Sequence, residues 1–214
     1  MNVNEKHKER NLNLDYHNDR LREKSPEYII KWALSIAERP IITSNFRPYA
    51  TVLIHACAQQ KKDIPVIWCD TGFNTQSTYE HIKEVKKMLD LNLHSYKASL
   101  SKDFMSYFYG IPHPDDRVHS LFTELVKIEP FRRALNEHKP DIWFTNVQQG
   151  QTEHRNSLDI LSYTKDGILK VSPFYYATTK DLYNYTQQHA LPIEFDYYDP
   201  TKGDASKECG IQLL

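Results

Sequence analysis

Three separate stretches of this 214-residue chain carry side chains suited to chemistry. The first is Cys209, in Lys207-Glu208-Cys209-Gly210, a thiol in a polar tail with no apolar neighbours to pack it. A free thiol has an ordinary pKa near about 8.5, so only a few per cent is thiolate at neutral pH, and nearby positive charge raises that fraction. Lys207 adjoins it and Glu208 partly opposes it. The second stretch holds Ser44, Asn45 and Arg47, and with it goes Asp70-Thr71-Gly72. The third is the polar loop 146–156, with Gln148, Gln149, Gln151 and Arg155. Arginine suits bidentate contact with oxyanions, and helix starts offer free N–H groups to the same kind of ligand. Lys127, Arg132 and Arg133 lie on the intervening helix, where Arg133 reads as part of a solvated face. Together these residues suit a polyanionic, nucleotide-like ligand.

Such residues need a scaffold that gathers their loops. Ile64-Pro65-Val66-Ile67-Trp68-Cys69 is a short, nearly all-apolar run ending at Asp-Thr-Gly, which predicts a strand buried on both faces of a parallel sheet. Gly72 permits a sharp turn or a close ligand approach. On its own, Asp-Thr-Gly is an ordinary strand-to-helix turn. Further strands are expected at 41–44, 91–96 and 141–145. Helices are expected from the Ser25-Pro26 cap to about Glu38, over 50–60, over 75–89, over 120–138 with a bend near Pro130, and over 178–188. This alternation predicts an α/β fold, a mostly parallel sheet with helices on both faces. The loops after the strands then converge at one sheet edge, where such folds bind ligands. A hairpin is expected around Asp166-Gly167, between 158–163 and 168–171. The stretch 98–120, with Phe104, Tyr107, Phe108 and Tyr109, reads as a lid or insertion. The expected organisation is a flexible or helical arm over 1–24, a nucleotide-binding domain over 25–198 and a mobile tail over 199–214.

Composition narrows the function classes. A formal charge of −1 gives no global basic field to hold nucleic acid or membrane, and no apolar run approaches membrane-spanning length. The first residues lack the apolar middle of a signal peptide, so a cytoplasmic setting is expected. Three cysteines are too few for a disulfide framework or for the four thiolates of a usual iron–sulfur cluster, and Cys57 and Cys69 read as core thiols. The motifs of zinc peptidases, serine hydrolases and P-loop enzymes are absent, and His55, His81, His94 and His138 read as surface or packing residues. Asp115-Asp116 reads as a solvated turn.

In order and spacing, the stretches over residues 25–214 resemble the phosphoadenosine phosphosulfate (PAPS) reductase family. Thr43-Ser44-Asn45-Phe46 with the helix from Ala50 resembles its first strand and modified phosphate loop. Ile64–Ile67 with Asp70-Thr71-Gly72-Phe73 and Thr78-Tyr79 is similar to its I-P-V-I…D-T-G-Y…E-T-Y stretch. Lys127-Ile128-Glu129-Pro130 and Arg133-Ala134-Leu135 resemble K-V-x-P…R-A-L. Trp143-Phe144 with Gln151 and Arg155 resembles W-F…R-R-x-Q-S-x-x-R, and Lys170-Val171-Ser172-Pro173 resembles K-V-x-P. Glu208-Cys209-Gly210-Ile211 is similar to the terminal E-C-G-L-H.

The resemblance implies an adenine-nucleotide α-hydrolase-like fold of the PP-loop type, with PAPS bound across the strand ends. It implies that Cys209 attacks the sulfate sulfur to give an S-sulfocysteine and adenosine 3′,5′-bisphosphate. Reduced thioredoxin or glutaredoxin then releases sulfite, with no bound cofactor or cluster, and a homodimer is a family expectation. It adds Phe46, Lys127 and Lys170 to the substrate-binding set already holding Ser44, Asn45, Arg47, Asp70, Thr71, Gly72, Gln148, Gln149, Gln151 and Arg155. The chain departs from the family pattern in four places. Arg47 replaces a glycine, Gln148-Gln149 replaces paired arginines, Gln212 replaces the last histidine, and the stretch from Asp199 to Cys209 is short. These departures leave open a cluster-free adenylyl-sulfate (APS) reductase. They also leave open an ATP pyrophosphatase or a nucleotide-binding protein on the same fold without reductase activity. The pyrophosphatase reading lacks its S-G-G-x-D-S loop.

Overall fold

Alternation along the strands separates two apolar layers. The computed structural model describes residues 12–113, 115–202 and 211. Strand β1 (Pro40–Thr43) sends Ile42 to one face and Ile41 to the other, and β2 (Val66–Asp70) divides Val66 and Trp68 from Ile67 in the same way. Strand β4 (Ile142–Phe144) does likewise with Ile142 and Phe144 against Trp143. Period-two alternation with apolar residues on both sides is the signature of a sheet covered by helices on both faces.

The sheet has six strands. With β3 (Leu93–Lys97), β5 (Leu161–Tyr163) and β6 (Leu169–Val171), the order is β3-β2-β1-β4-β6-β5. All neighbours are parallel except β5, which pairs antiparallel with β6 through the expected Asp166-Gly167 hairpin. Chain order runs outward from β1 to β2 and β3, then returns to place β4 on β1's other side. The crevice between the carboxyl ends of β1 and β4 is therefore the topological switch point, where this class of sheet binds ligands.

Helix boundaries follow their caps. Ser25 accepts from the Tyr28 N–H at 3.2 Å and starts α2 (Pro26–Ile36), and Thr75 accepts from Thr78 at 3.1 Å to start α4 (Gln76–Leu89). Between them, α3 (Ala50–Ala58) is buried along nearly its whole length, which explains its weak amphipathic pattern. The helix expected over 120–138 is present in three parts. These are α6 (His119–Thr123), a π-helical turn (Glu124–Ile128) and α7 (Glu129–His138). The expected bend takes the form of that widened turn. The Glu129 N–H reaches back to the Glu124 carbonyl, just before Pro130, whose ring nitrogen has no proton to donate. Residues 102–108 of the expected insertion form α5 (Lys102–Phe108), which buries Met105 and exposes Tyr107 and Phe108.

One helix had a place that the sequence did not signal. Within the expected arm, α1 (Leu14–Leu21) packs on the sheet edge, and Leu21 joins the core. The Asn18 carboxamide donates to the Leu161 carbonyl at 3.1 Å and accepts from its N–H at 2.9 Å, so a side chain completes the outer edge of β5. Among the described residues no helix is long and apolar enough to cross a membrane.

Candidate active site

At the switch point lies a cleft open to solvent. Thr43, Ser44, Asn45, Arg47 and Ala50 line it from the end of β1 and the start of α3. Ile67 and Cys69 line it from β2, and Thr145, Asn146 and Val147 from the end of β4. Lys127, Phe131 and Arg155 form other walls, and Lys202 and Ile211 close it from the C-terminal stretch.

The loop after β1 is shaped by its own side chains. Ser44 Oγ accepts from the Phe46 N–H at 3.0 Å and Asn45 Oδ1 from the Arg47 N–H at 3.3 Å. Phe46 and Tyr49 take left-handed backbone angles (φ 54° and 64°), which fold the loop tightly onto the start of α3. Arg47 donates to the Asn146 carbonyl at 3.4 Å and so ties the loops after β1 and β4 together.

Lys127 is buried in the π-helical turn, with its ammonium donating to the Asp199 carboxylate and to Thr201 Oγ1 at 3.1 Å. Burial pushes the Asp199 carboxyl up, but the Lys127 charge and the Lys127 and Thr201 hydrogen bonds outweigh it and hold the group below its ordinary value. Thr201 binds Asp199 Oδ1 twice more, through its hydroxyl at 2.6 Å and its N–H at 3.1 Å. The root of the C-terminal stretch is thus fastened to the cleft wall. Ile211 is fastened to the same region, packed in the cluster of Ile41, Ile67, Phe131 and Trp143.

Arg155 is buried on α8 (Glu153–Asn156) and donates to Gln151 Oε1. Gln151 in turn donates to Gln148 Oε1 at 2.8 Å, and Gln148 to the Ala177 carbonyl at 2.9 Å. This amide relay holds the guanidinium in the wall. It also means that Gln148 and Gln151 act on the cleft through Arg155 rather than by lining it. Gln149 is exposed, and its backbone N–H donates to the Tyr175 carbonyl at 2.9 Å.

Several expected substrate contacts have other positions. Phe46 is fully buried, edge-on to Trp68 and His81, because its left-handed backbone turns the ring into the core. Asp70 is buried and accepts from the Gly72 N–H at 2.9 Å, Asn74 at 3.1 Å and the Tyr79 hydroxyl at 2.8 Å. It fastens its own turn. Burial, then the bond to Asp70, raises the Tyr79 phenol to about 12, so it stays a donor at neutral pH. Thr71 accepts from the Phe73 N–H at 3.2 Å, and Gly72 needs its φ of 79° to make the turn. Lys170 is buried with its ammonium 4.9 Å from the Trp143 ring centroid. None of these five lines the cleft.

Other cleft residues were missed. Cys69 packs against the core cluster of Ile67 and Trp143, as expected, but it is only half-buried and also lines the cleft, because the β2 alternation that buries Trp68 on one face turns Cys69 to the other. Thr145, Asn146 and Lys202 carry no motif, and only their places just past a strand end or near the tail's cysteine could have signalled them, whereas Thr43 and Ile211 belong to stretches that resemble the family but were not assigned to the site. Cys57 is buried as expected, and burial pushes its thiol far up. Cys209 lies outside the described residues.

A mostly parallel sheet with a basic cleft at its switch point is an α/β fold, and its solved neighbours place it in the PP-loop type. The fold is similar to that of FMN adenylyltransferase from Candida glabrata in complex with ATP (TM-score 0.58, 10% identity, 89% of this chain and 63% of that one). It is more similar to that of phosphoadenylyl-sulfate (PAPS) reductase from Candida auris in a phosphate complex (TM-score 0.72, 24% identity, 84% of this chain and 86% of that one). The family model for the phosphoadenosine phosphosulfate reductase domain matches residues 39–197. Phosphoadenosine 5'-phosphosulfate reductase of Vibrio campbellii is 35% identical over 182 residues, covering 84% of this chain and 70% of that protein. The chain belongs to the phosphoadenosine phosphosulfate reductase family.

Proposed function

We propose that this enzyme reduces PAPS to sulfite and adenosine 3′,5′-bisphosphate, with Cys209 as the nucleophile. The observation that carries this reading is a cleft whose basic side chains, Arg47, Lys127 and Arg155, share their walls with Ile211. Ile211 follows Cys209 by two residues, a chain length of at most about 7 Å. Family membership supplies the reaction class.

In the first step the Cys209 thiolate attacks the sulfonate sulfur of PAPS. An S–S bond forms, the S–O bond to the phosphate breaks, and adenosine 3′,5′-bisphosphate leaves with the electron pair. Fixed cations favour this twice, by raising the thiolate fraction and by stabilising charge on the departing phosphate. Arg155 and Lys127 are suited to these anionic groups, being buried and held in place before the ligand arrives. Arg47, from the opposite loop, adds positive charge where Gln148-Gln149 supplies none. In the second step an external thiol attacks Cys209 Sγ, and sulfite departs with the electrons of the S–S bond. A second thiol of the donor resolves the mixed disulfide and regenerates Cys209. Reduced thioredoxin or glutaredoxin has this dithiol chemistry, and neither step calls for a cluster. The reducing cytoplasm suits both the free thiol and the donor. In this reading, residues 199–214 serve as the segment that brings Cys209 to the cleft.

Sulfite release and nucleotide binding test the proposal together. Cys209→Ser is expected to abolish sulfite release while adenosine 3′,5′-bisphosphate still binds by calorimetry. Full turnover by that variant contradicts the mechanism. APS in place of PAPS, with the same sulfite assay, separates the two substrates.

A further inference from the structure

None of the residues lining the cleft comes from α5 or α6. Yet nearly half of the large apolar side chains exposed among the described residues fall between 104 and 121. On α5 they touch one another, with the Phe104 and Phe108 ring centroids 4.4 Å apart and those of Tyr107 and Phe108 5.2 Å apart. Tyr109 continues the patch to Val118 and Leu121, with which it lines a shallow recess against α6. Tyr107 is 85% exposed and Phe108 62%. Exposed apolar residues scattered singly are ordinary, but rings gathered into one patch mark a surface that meets another molecule.

The position of the patch identifies that molecule. Helix α5 starts just past the carboxyl end of β3, on the sheet edge that holds the cleft. Phe122 of α6 packs against Phe73, ring centroids 5.5 Å apart, at the end of the turn that Asp70 fastens. At the first residue of α6, His119 Nε2 lies 3.4 Å from the Pro200 carbonyl. Pro200 stands between Asp199 and Thr201, the two residues that Lys127 holds. The patch thus borders the root of the C-terminal stretch. That stretch leaves the cleft wall at Lys202 and is back on it at Ile211, with Cys209 at most about 7 Å of chain from Ile211. A donor protein that brings its thiol to Cys209 must cover this same edge. We propose that the α5–α6 patch is the docking surface for a dithiol oxidoreductase whose attacking thiol is set in an apolar rim. A few rings suit a partner that leaves after each turnover, since redox encounters bury under about 1,200 Å², whereas a stable interface takes roughly 20–30 residues a side. The inference rests on the PAPS-reduction reading above and names the surface that serves its second step.

Full-length wild type and the double variant Tyr107→Glu/Phe108→Glu are compared in three assays. These are SO3 adduct formation with PAPS alone, sulfite release driven by dithiothreitol, and sulfite release driven by reduced thioredoxin or, in a parallel series, reduced glutaredoxin. The first two are expected to stay within about twofold of wild type, because both rings lie largely outside the fold. The KM for whichever protein donor serves the wild type is expected to rise about tenfold or more. A donor KM within about twofold of wild type overturns the inference. So does a parallel loss with dithiothreitol at an unchanged thermal midpoint, since the rings then act on the site itself. A shift from dimer to monomer in sedimentation, with the donor KM kept, assigns the patch to a second copy and also overturns it. An equal rise in donor KM from Tyr28→Glu, at an exposed ring of α2, makes the effect one of general surface charge and overturns it too. Should the double variant melt early, Tyr107→Glu alone decides, at the ring with the least packing to lose. A wild type that turns over with dithiothreitol and with neither protein donor overturns the inference but leaves the reaction standing. A wild type that forms no adduct and releases no sulfite overturns the underlying reading, and the inference with it.

Discussion

The indole N–H of Trp143 donates to the Thr43 hydroxyl at 2.7 Å, joining the ends of β4 and β1 where they meet the cleft. Trp143 is fully buried, packed against Phe131 and carrying the Lys170 ammonium on its ring. One side chain thus fixes the relative position of the two strands that form the switch point. Trp143→Phe keeps most of the apolar volume but removes the donor. A destabilisation of about 1–3 kcal/mol is expected in urea unfolding. A rise in KM is expected with it, because Thr43 loses its tether. An unchanged unfolding midpoint would mean that this bond carries no weight.

The buried pair of Lys127 and Asp199 is expected to be sensitive to loss of either partner. Lys127→Met leaves the Asp199 carboxylate in a dry site, and destabilisation of about 3–5 kcal/mol is expected. The folded-state pKa of Asp199 is lowered from 3.8, so its contribution is present above that value. It is lost as pH falls through the folded pKa, because the unfolded chain takes up the proton first. In Asp199→Asn, the acid limb of the stability–pH curve below about 3.8 is expected to flatten relative to wild type. An identical acid limb in the two proteins contradicts this.

Three histidines set a second pH dependence. Burial lowers His55, His81 and His138 from the ordinary 6.5, with His189 adding to the effect at His55 and His94 at His138. Nearby glutamates oppose it at His81 and His138. Groups depressed in this way bind protons more readily when unfolded, so stability should be complete above 6.5 and decline as pH drops below it. Thermal unfolding at pH 8, 6.5 and 5 is expected to show a falling midpoint, and His81→Phe should reduce the slope. A midpoint that rises toward pH 5 would reverse the sign of the argument.

Arg155 offers a planar fork that an ammonium cannot imitate. Arg155→Lys should keep the charge, lose the bond to Gln151 and lower kcat/KM for PAPS by about ten- to a hundredfold. Gln151→Ala, which removes only the support, is expected to have a smaller effect in the same direction. Wild-type kcat/KM in Arg155→Lys would remove Arg155 from the substrate set.

Local signals in the sequence carried most of this architecture. Ser25 and Thr75 announce helix starts by short-range hydrogen bonds, and Asp166-Gly167 announces the hairpin by backbone preference, so all three were legible. The convergence of the strand-end loops at one sheet edge followed from the alternation of strands and helices, whereas the switch point between β1 and β4 depends on the strand order, which has no local signal. Orientation was harder to read. Whether Asp70 faces a ligand or closes its own turn depends on Tyr79 and Asn74 across the loop, and motif matching sees only the aspartate. Phe46 looked like part of a binding loop, yet its left-handed backbone sends the ring inward. The docking of Asn18 on β5 is a single long-range event with no periodic trace.

The central claim is that sulfur transfers to one particular thiol. Intact-protein mass spectrometry, on pre-reduced full-length chain mixed with PAPS and no thiol donor, examines it directly. The account predicts a gain of one SO3 group, mapped by peptide analysis to Cys209 and absent from Cys209→Ser. An SO3 group on Cys69, which lines the cleft, would contradict it, as would sulfite production on adding thioredoxin with no adduct formed beforehand.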